Sequence, residues 1–300
     1  MTDVTAMMPR TESSDSHYCS KSYPEKSPIY ATVKYHGFSA DQDLKKMLTS
    51  EINTFVQNTD PDIWKTPLVG FTDIYDPYIR NIRNYTVPEH LMPEEVMPDA
   101  AVILVYFLPF RDELVKSNRG SGLASSDWAR IYEETNSMFP KLNDHLTDVI
   151  RSLGYDAMQT PEASTFYRDE VVSHWSFRHF AYAAGLGTFG LNNMLITANG
   201  CAGRINGLVT NLNVSAGKPQ SEEACLYKRS GKCGLCMKVC PAGALTPESY
   251  DRRKCYDQCL KNAAVHTSFG SSYGGDGSTG VGSEVCGKCI AGMPCALRRP

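Results

Sequence analysis

Apolar positions along the chain fall into a few separate periodic runs. In DQDLKKMLTSEINTFV (41–56), Leu44, Met47, Leu48, Ile52, Phe55 and Val56 recur at helical spacing, with Asp41 or Asp43 placed to cap the start. TPLVGFTDIY (66–75) predicts a strand and a turn. AAVILVYFLPF (100–110) is apolar without alternation, which predicts a strand buried on both faces. The longest helical pattern follows, with Trp128, Ile131, Tyr132, Thr135, Met138, Phe139, Leu142, Leu146, Val149, Ile150 and Leu153 on one face. Pro140 interrupts it and predicts a kink or a break into two helices, and Gly154 supplies the stop. YDAMQT (155–160) predicts a short strand and Ser173 to Ala184 a helix. LGTFGLNNMLI (186–196) predicts a glycine turn running into a strand, and GRINGLVTNLNV (203–214) a further strand.

Strands alternating with helices predict an α/β, or α+β layered, domain over 31–217. Residues 1–30 read as a disordered arm. After Gly217 the composition shifts to cysteines, lysines and short turns, which marks 218–300 as a second, smaller domain. GSSYGGDGSTGVGS (270–283) reads as a flexible, solvated loop inside it.

The chain has 300 residues, 42% of them hydrophobic, enough for a sizeable core. Its formal charge of −3 leaves no polybasic footprint, which argues against nucleic-acid binding driven by phosphate neutralisation. The longest apolar stretch, Ala100 to Leu108, is far short of the ~20 residues that a membrane-spanning helix needs. The first residues carry no secretion pattern. Together these predict a soluble, cytoplasmic protein with no membrane partner.

Cysteine usage changes the picture most. Of 11 cysteines, nine lie between Cys225 and Cys295. An odd count with C-x-x-C spacings, in a chain without a secretion signal, points to metal ligands or redox thiols rather than disulfides. Cys233-Gly-Leu-Cys236-Met-Lys-Val-Cys240-Pro241 carries the cysteine-proline ending of bacterial ferredoxin runs. In those runs that last cysteine ligates the other of two 4Fe–4S clusters. Ser230 stands where such a run has its first cysteine, and Cys225 is the substitute if YKRSGK loops back. Cluster one would then take Cys225, Cys233, Cys236 and a returning Cys295. Cluster two would take Cys240, Cys286, Cys289 and one of Cys255 or Cys259. A four-cysteine zinc site from the 233/236 and 286/289 pairs is the alternative, but it leaves five cysteines and Pro241 without a role. Cys19 and Cys201 read as unligated thiols.

This cysteine block, together with AAGLGTFGLNNMLIT (183–197) and MPDAAVILVYFLPF (97–110), resembles epoxyqueuosine reductase and its relatives. The reductive dehalogenases are similar in layout. The resemblance covers roughly residues 60–295. It implies a cobalamin-binding α/β domain joined to a ferredoxin-like domain with two 4Fe–4S clusters. Lys254-Cys255-Tyr256 matches the family's RCxSY segment, which implies Cys255 as the cluster-two ligand. The family's AGLGWxGKN stretch implies cofactor contacts at Gly185, Gly187, Gly190 and Asn192. There are departures. Leu191 replaces the family's lysine, and Val171 stands at the place of its catalytic aspartate, with Asp169 two residues away. The family's C-terminal helical repeats, which help hold transfer RNA, have no counterpart up to Pro300. A short paralogue with a different substrate is the implied reading.

Gly185 to Gly190 also spells GxGxxG, but it follows a helical stretch and precedes a strand, the reverse of a dinucleotide-binding turn. The glycines either admit a flat cofactor or make a tight turn. In the Ser173–Tyr182 segment, His174 and Arg178 would share a helical face, with His179 next to them. His174, Arg178, His179 and Tyr182 are the candidate catalytic residues, against a purely structural role at a domain interface; the resemblance favours the pocket. Trp128 and Tyr132 read as core, and Arg130, Glu134 and Asn136 as a solvated face.

Two functions fit these observations. One is an oxidoreductase that relays single electrons from a ferredoxin- or flavodoxin-type donor, through two clusters, to a small-molecule substrate in the α/β domain. By resemblance, cobalamin would assist. The other is a ferredoxin-like electron carrier that docks to a partner enzyme.

Overall fold

The apolar run at 102–109 becomes the second strand of a four-stranded sheet, and the rest of the fold is arranged around it. The computed structural model describes residues 40–160, 166–272 and 282–300. The expected arm with Cys19, and most of the expected 270–283 loop, lie outside the described residues. In chain order the elements are α1 (Ala40–Thr59), β1 (Leu68–Asp73), α2 (Pro77–Arg80), α3 (Ile82–Tyr85), α4 (Pro93–Val96), β2 (Val102–Pro109), α5 (Asp112–Ser117), α6 (Ser126–Ser152), β3 (Ala157–Met158) and α7 (Phe177–Ala183). They continue with β4 (Gly187–Phe189), β5 (Leu195–Thr197), β6 (Gly203–Thr210), α8 (Leu226–Ser230), α9 (Leu235–Val239) and α10 (Arg252–Ala263).

The sheet order is β1-β2-β6-β3, and every pairing is antiparallel. All eight residues of β2 are buried because the strand is central and both sheet faces are covered. Val102, Leu104, Tyr106 and Leu108 face α1 and α6, meeting Leu48, Ile52, Leu142 and Leu146. Ile103 and Val105 face the other way, onto Phe180 and Ala181 of α7. The two-residue side-chain period of a strand therefore feeds two cores.

Helix α6 runs unbroken through Pro140. Its apolar face stays docked on both sides of the proline, from Ile131 and Met138 to Leu146 and Ile150, which outweighs one missing backbone hydrogen bond. Ser125 caps its start by accepting from the Trp128 amide at 3.2 Å. Gly154, at φ +86°, ends it as predicted.

Two expectations are corrected. The helix predicted over 173–184 begins only at Phe177. The Ser176 N–H donates to His90 Nε2 at 2.9 Å, and Trp175 is buried against His90, so the preceding residues are held outside the helix. His174 and Arg178 therefore do not share a helical face. The glycine run does lead through a turn into the expected strand, β5, but part of it is itself a strand. Residues 187–189 are already β4, paired with β5 in a hairpin.

At the expected boundary the composition changes but packing continues. Gly217 N–H still bonds to Phe71 O at 2.8 Å. Cys225, Val285, Ile290, Ala291 and Ala296 belong to the same core cluster as Leu104 and Leu146. Residues 200–202 and 295–299 are stitched by backbone bonds, among them Cys201 N–H to Cys295 O at 2.9 Å and Ala202 N–H to Ala296 O at 3.0 Å. No helix among the described residues is long and apolar enough to cross a membrane.

Candidate functional site

Cys225, Cys233, Cys236 and Cys295 line one small, mostly apolar cavity, closed by Gly190, Asn192 and Ile196. They arrive from separate stretches. Cys225 caps the single turn of α8, and Gly231, at φ +72°, ends that turn and reverses the chain toward Cys233. Burial pushes the Cys236 thiol up to about 11, and the thiols of Cys295, Cys225 and Cys233 push the same way. The four predicted ligands of cluster one thus surround one space.

Cys240, Cys255, Cys286 and Cys289 form a second neighbourhood. Burial pushes Cys289 well up, with Cys255, Cys286 and Cys240 adding to it. Cys259 lies one helical turn after Cys255 on α10 and faces the same group. A hydrogen bond from Cys259 holds Cys255 down at about 6, against burial and with help from Tyr250 and Arg178. The Cys286–Cys289 turn is seated on the end of α5, the start of α6 and the β4–β5 turn. Asn118 Nδ2 donates to Cys286 O at 2.9 Å, Lys288 Nζ to Asn118 O at 3.2 Å, and Asn192 Nδ2 to Cys289 O at 2.9 Å. Gly287, at φ +67°, lies flat on Trp128; a Cβ there would come within 2.3 Å of the indole nitrogen. That indole N–H is buried without a hydrogen-bond partner.

Among the described residues, no three His, Cys, Asp or Glu side chains converge tightly enough to hold a single metal ion. A four-iron cube spreads its thiolates over its corners, so a cavity ringed by four cysteines fits it better than a tetrahedral zinc site does. The unpartnered Trp128 N–H beside the second C-x-x-C turn is a donor that a cluster sulfur would satisfy.

A larger cavity of about 690 Å³ opens between α6, β6 and residues 269–272. Its polar wall is a connected network. Tyr106 OH donates to Asn143 Oδ1 at 2.8 Å, and Asn143 Nδ2 donates to Asn206 at 3.0 Å and Gln159 at 3.2 Å. Arg204 lies over the Tyr132 ring at 4.3 Å and donates to Asn136 Oδ1 at 2.8 Å. Glu133 is buried on the same wall. Arg130 and Glu134, expected on a solvated face, pair at 3.0 Å on the cavity rim.

The predicted catalytic residues separate. Arg178 is half-buried, donates to Asn193 O at 2.6 Å, and lies within electrostatic reach of Arg204, Tyr250 and Cys255. His179 and Tyr182 sit instead in an aromatic cluster with Tyr78 and Phe189. Burial, then the Arg178 charge, lowers His179 to about 3, so it is neutral near pH 7. His174 stacks on Tyr167 at 4.0 Å. None of these three lines the large cavity. Room at the glycines is taken up by the chain itself: a Cβ at Gly185 would meet Lys218 O and one at Gly187 would meet Ile196 O. Gly190 and Asn192 border the first cysteine cavity.

Sequence reasoning missed Glu133, Asn143, Arg204 and Asn206. One signal was readable: Arg204 and Asn206, two apart in β6, must point to one face of a strand otherwise destined for burial.

No family model matches the chain. Over 182 residues it is 38% identical to the epoxyqueuosine reductase of Francisella cf. novicida (strain Fx1), a match covering 56% of this chain and 46% of that protein. The chain thus spans about half the length of the curated relative it matches. The fold is similar to epoxyqueuosine reductase from Bacillus subtilis, with a TM-score of 0.50 at 17% identity, covering 85% of this chain and 65% of that one. It is also similar to an epoxyqueuosine reductase crystallised with an epoxyqueuosine-modified tRNA stem loop, with a TM-score of 0.52 at 18% identity, covering 85% and 65%.

Proposed function

Because this chain is epoxyqueuosine reductase-like in sequence and in fold, we propose that it is an iron–sulfur reductase. Two 4Fe–4S clusters relay single electrons from a ferredoxin- or flavodoxin-type donor to a molecule bound in the 690 Å³ cavity. The observation that carries this reading is the ring of Cys225, Cys233, Cys236 and Cys295 around one space. Cluster two is held by Cys240, Cys286, Cys289 and Cys255, with Cys259 as its neighbour on α10.

The chain's own residues do the positioning. Asn118, Asn192 and Trp128 fix the second C-x-x-C turn against α5, α6 and the β4–β5 turn. Arg178 sets a half-buried cation within electrostatic reach of Cys255, where it favours an arriving electron. The cavity size falls in the usual range for small-molecule sites, about 300–1,000 Å³, which favours catalysis over a carrier that only docks. For cobalamin, Asn136, Asn143, Gln159 and Asn206 offer hydrogen-bonding partners to corrin amides. When bound, it would supply a strongly nucleophilic reduced cobalt. Net charge does not exclude RNA, since a relative of this fold was crystallised on a tRNA stem loop; an RNA-borne substrate is therefore kept among those to be tried.

The test is anaerobic purification with iron, zinc and cobalt quantified on one sample. About eight irons per chain and a broad visible band near 400 nm are expected. Cys233→Ala and Cys286→Ala should each lose about half of the iron. A colourless protein with about one zinc would overturn the proposal.

A further inference from the structure

The large cavity contains an acid that the family resemblance does not supply. Glu133, on α6, is only 8% exposed. Its two oxygens are not equivalent. Oε2 accepts the Ser272 hydroxyl, and Ser272 Oγ in turn accepts from Asn136 Nδ2 at 2.7 Å. Oε1 is buried and makes no hydrogen bond, and the residue lines the cavity. A buried ionised carboxylate with a bare oxygen is costly, whereas a protonated one needs only a single acceptor.

We propose that Glu133 is the proton donor of this cavity, kept as a neutral carboxylic acid that protonates the substrate. The inference rests on the reductase reading above for its electrons. Reductive cleavage of a C–X bond whose X leaves as X–H consumes two electrons and two protons. The electrons come one at a time from the low-potential iron–sulfur or flavin donor. The C–X bond breaks, Glu133 protonates X, and solvent protonates the carbon; Glu133 is then reprotonated from solvent. The charged groups around it are Arg204 on β6, and Arg130 and Glu134 on its own helix, the latter two paired to each other. Burial raises the Glu133 carboxyl above its ordinary value, opposed by the Ser272 and Ser283 hydroxyls and by Arg204. His179, the histidine expected to donate, stands in the aromatic cluster outside this cavity.

Infrared spectroscopy of the purified protein at neutral pH, compared with Glu133→Gln, decides the protonation state with no substrate present. A protonated-carboxyl band present in the native protein and missing from the variant supports the proposal. No such band overturns it. In parallel, both proteins are loaded with clusters, reduced chemically and offered probe epoxides, ethers and halides. Glu133→Gln should keep its iron and still accept electrons, yet lose roughly 10²–10⁴-fold in turnover, with part of the rate restored in Glu133→Asp. Unchanged turnover in Glu133→Gln would also overturn the assignment. If the native protein reduces no probe, the reductase reading fails, while the infrared band still decides the state of Glu133.

Discussion

Cys201 Sγ lies 4.0 Å from Cys295 Sγ and is oriented as a hydrogen-bond donor to it. Cys201 is buried, and its backbone N–H is bonded to Cys295 O as well. That bond lowers Cys295 and raises Cys201. A thiol donor to a ligating sulfur stabilises the reduced, more negative cluster. Cys201→Ala is therefore expected to keep full iron content while lowering one cluster's potential, by roughly 40 mV at most if the bond is worth about 1 kcal/mol. Spectroelectrochemical titration measures this. Loss of iron in Cys201→Ala would make Cys201 a ligand instead.

Arg168 and Glu284 form an ion pair at 2.7 Å whose side chains are 17% and 2% exposed. Tyr256 OH donates to the second Glu284 oxygen at 3.0 Å. Removing one member of a buried pair strands the other, at a cost of about 3–5 kcal/mol. Arg168→Met should destabilise by about that much in chemical denaturation. Adding Glu284→Gln should recover part of the loss, because it removes the stranded charge.

His90 is fully buried, with Nδ1 2.7 Å from Leu91 O and Nε2 accepting from the Ser176 amide. The Ser176 contact requires an unprotonated Nε2, whereas Nδ1–H donates to Leu91 O in either state, and burial lowers the group from 6.5 to about 4. The unfolded chain therefore binds the extra proton first as pH falls. Stability from this site is complete above about pH 6.5 and is lost as pH drops toward about 4. The melting temperature should fall across that window, and less steeply in His90→Gln. An identical slope in the variant would assign the acid sensitivity to other groups.

Val171 closes the Tyr167–Val172 hairpin at φ +57°, a conformation strained for a β-branched residue. Val171→Gly removes that strain and is expected to stabilise the fold by about 1 kcal/mol, net of glycine's entropy cost. Denaturant midpoints would show it.

What the sequence disclosed tracks how local each cause is. β2 announced itself because burial on both faces leaves no room for a polar residue. The approach of Cys225 to Cys233 was legible because it rests on the short α8 turn and its glycine alone. The start of α7 was not legible, since it depends on His90, some 86 residues upstream, accepting the Ser176 amide. Strand order was hidden for the same reason: β6 reaches β2 only through tertiary pairing. Glu133 was invisible because it falls beside, not on, the apolar face of α6, and only Ser272 and β6 enclose it.

The backbone stitch between residues 200–202 and 295–299 bears on how the chain is made. Synthesis delivers the sheet first, ending at Thr210, yet the core under β2 lacks Ile290, Ala291 and Ala296 until the last stretch of the chain has left the ribosome. A nascent chain halted at residue 280 would carry an unsealed apolar floor and only part of each thiol set. Completion of both thiol sets and closure of the core then coincide late in synthesis, when sequestering partners would matter most.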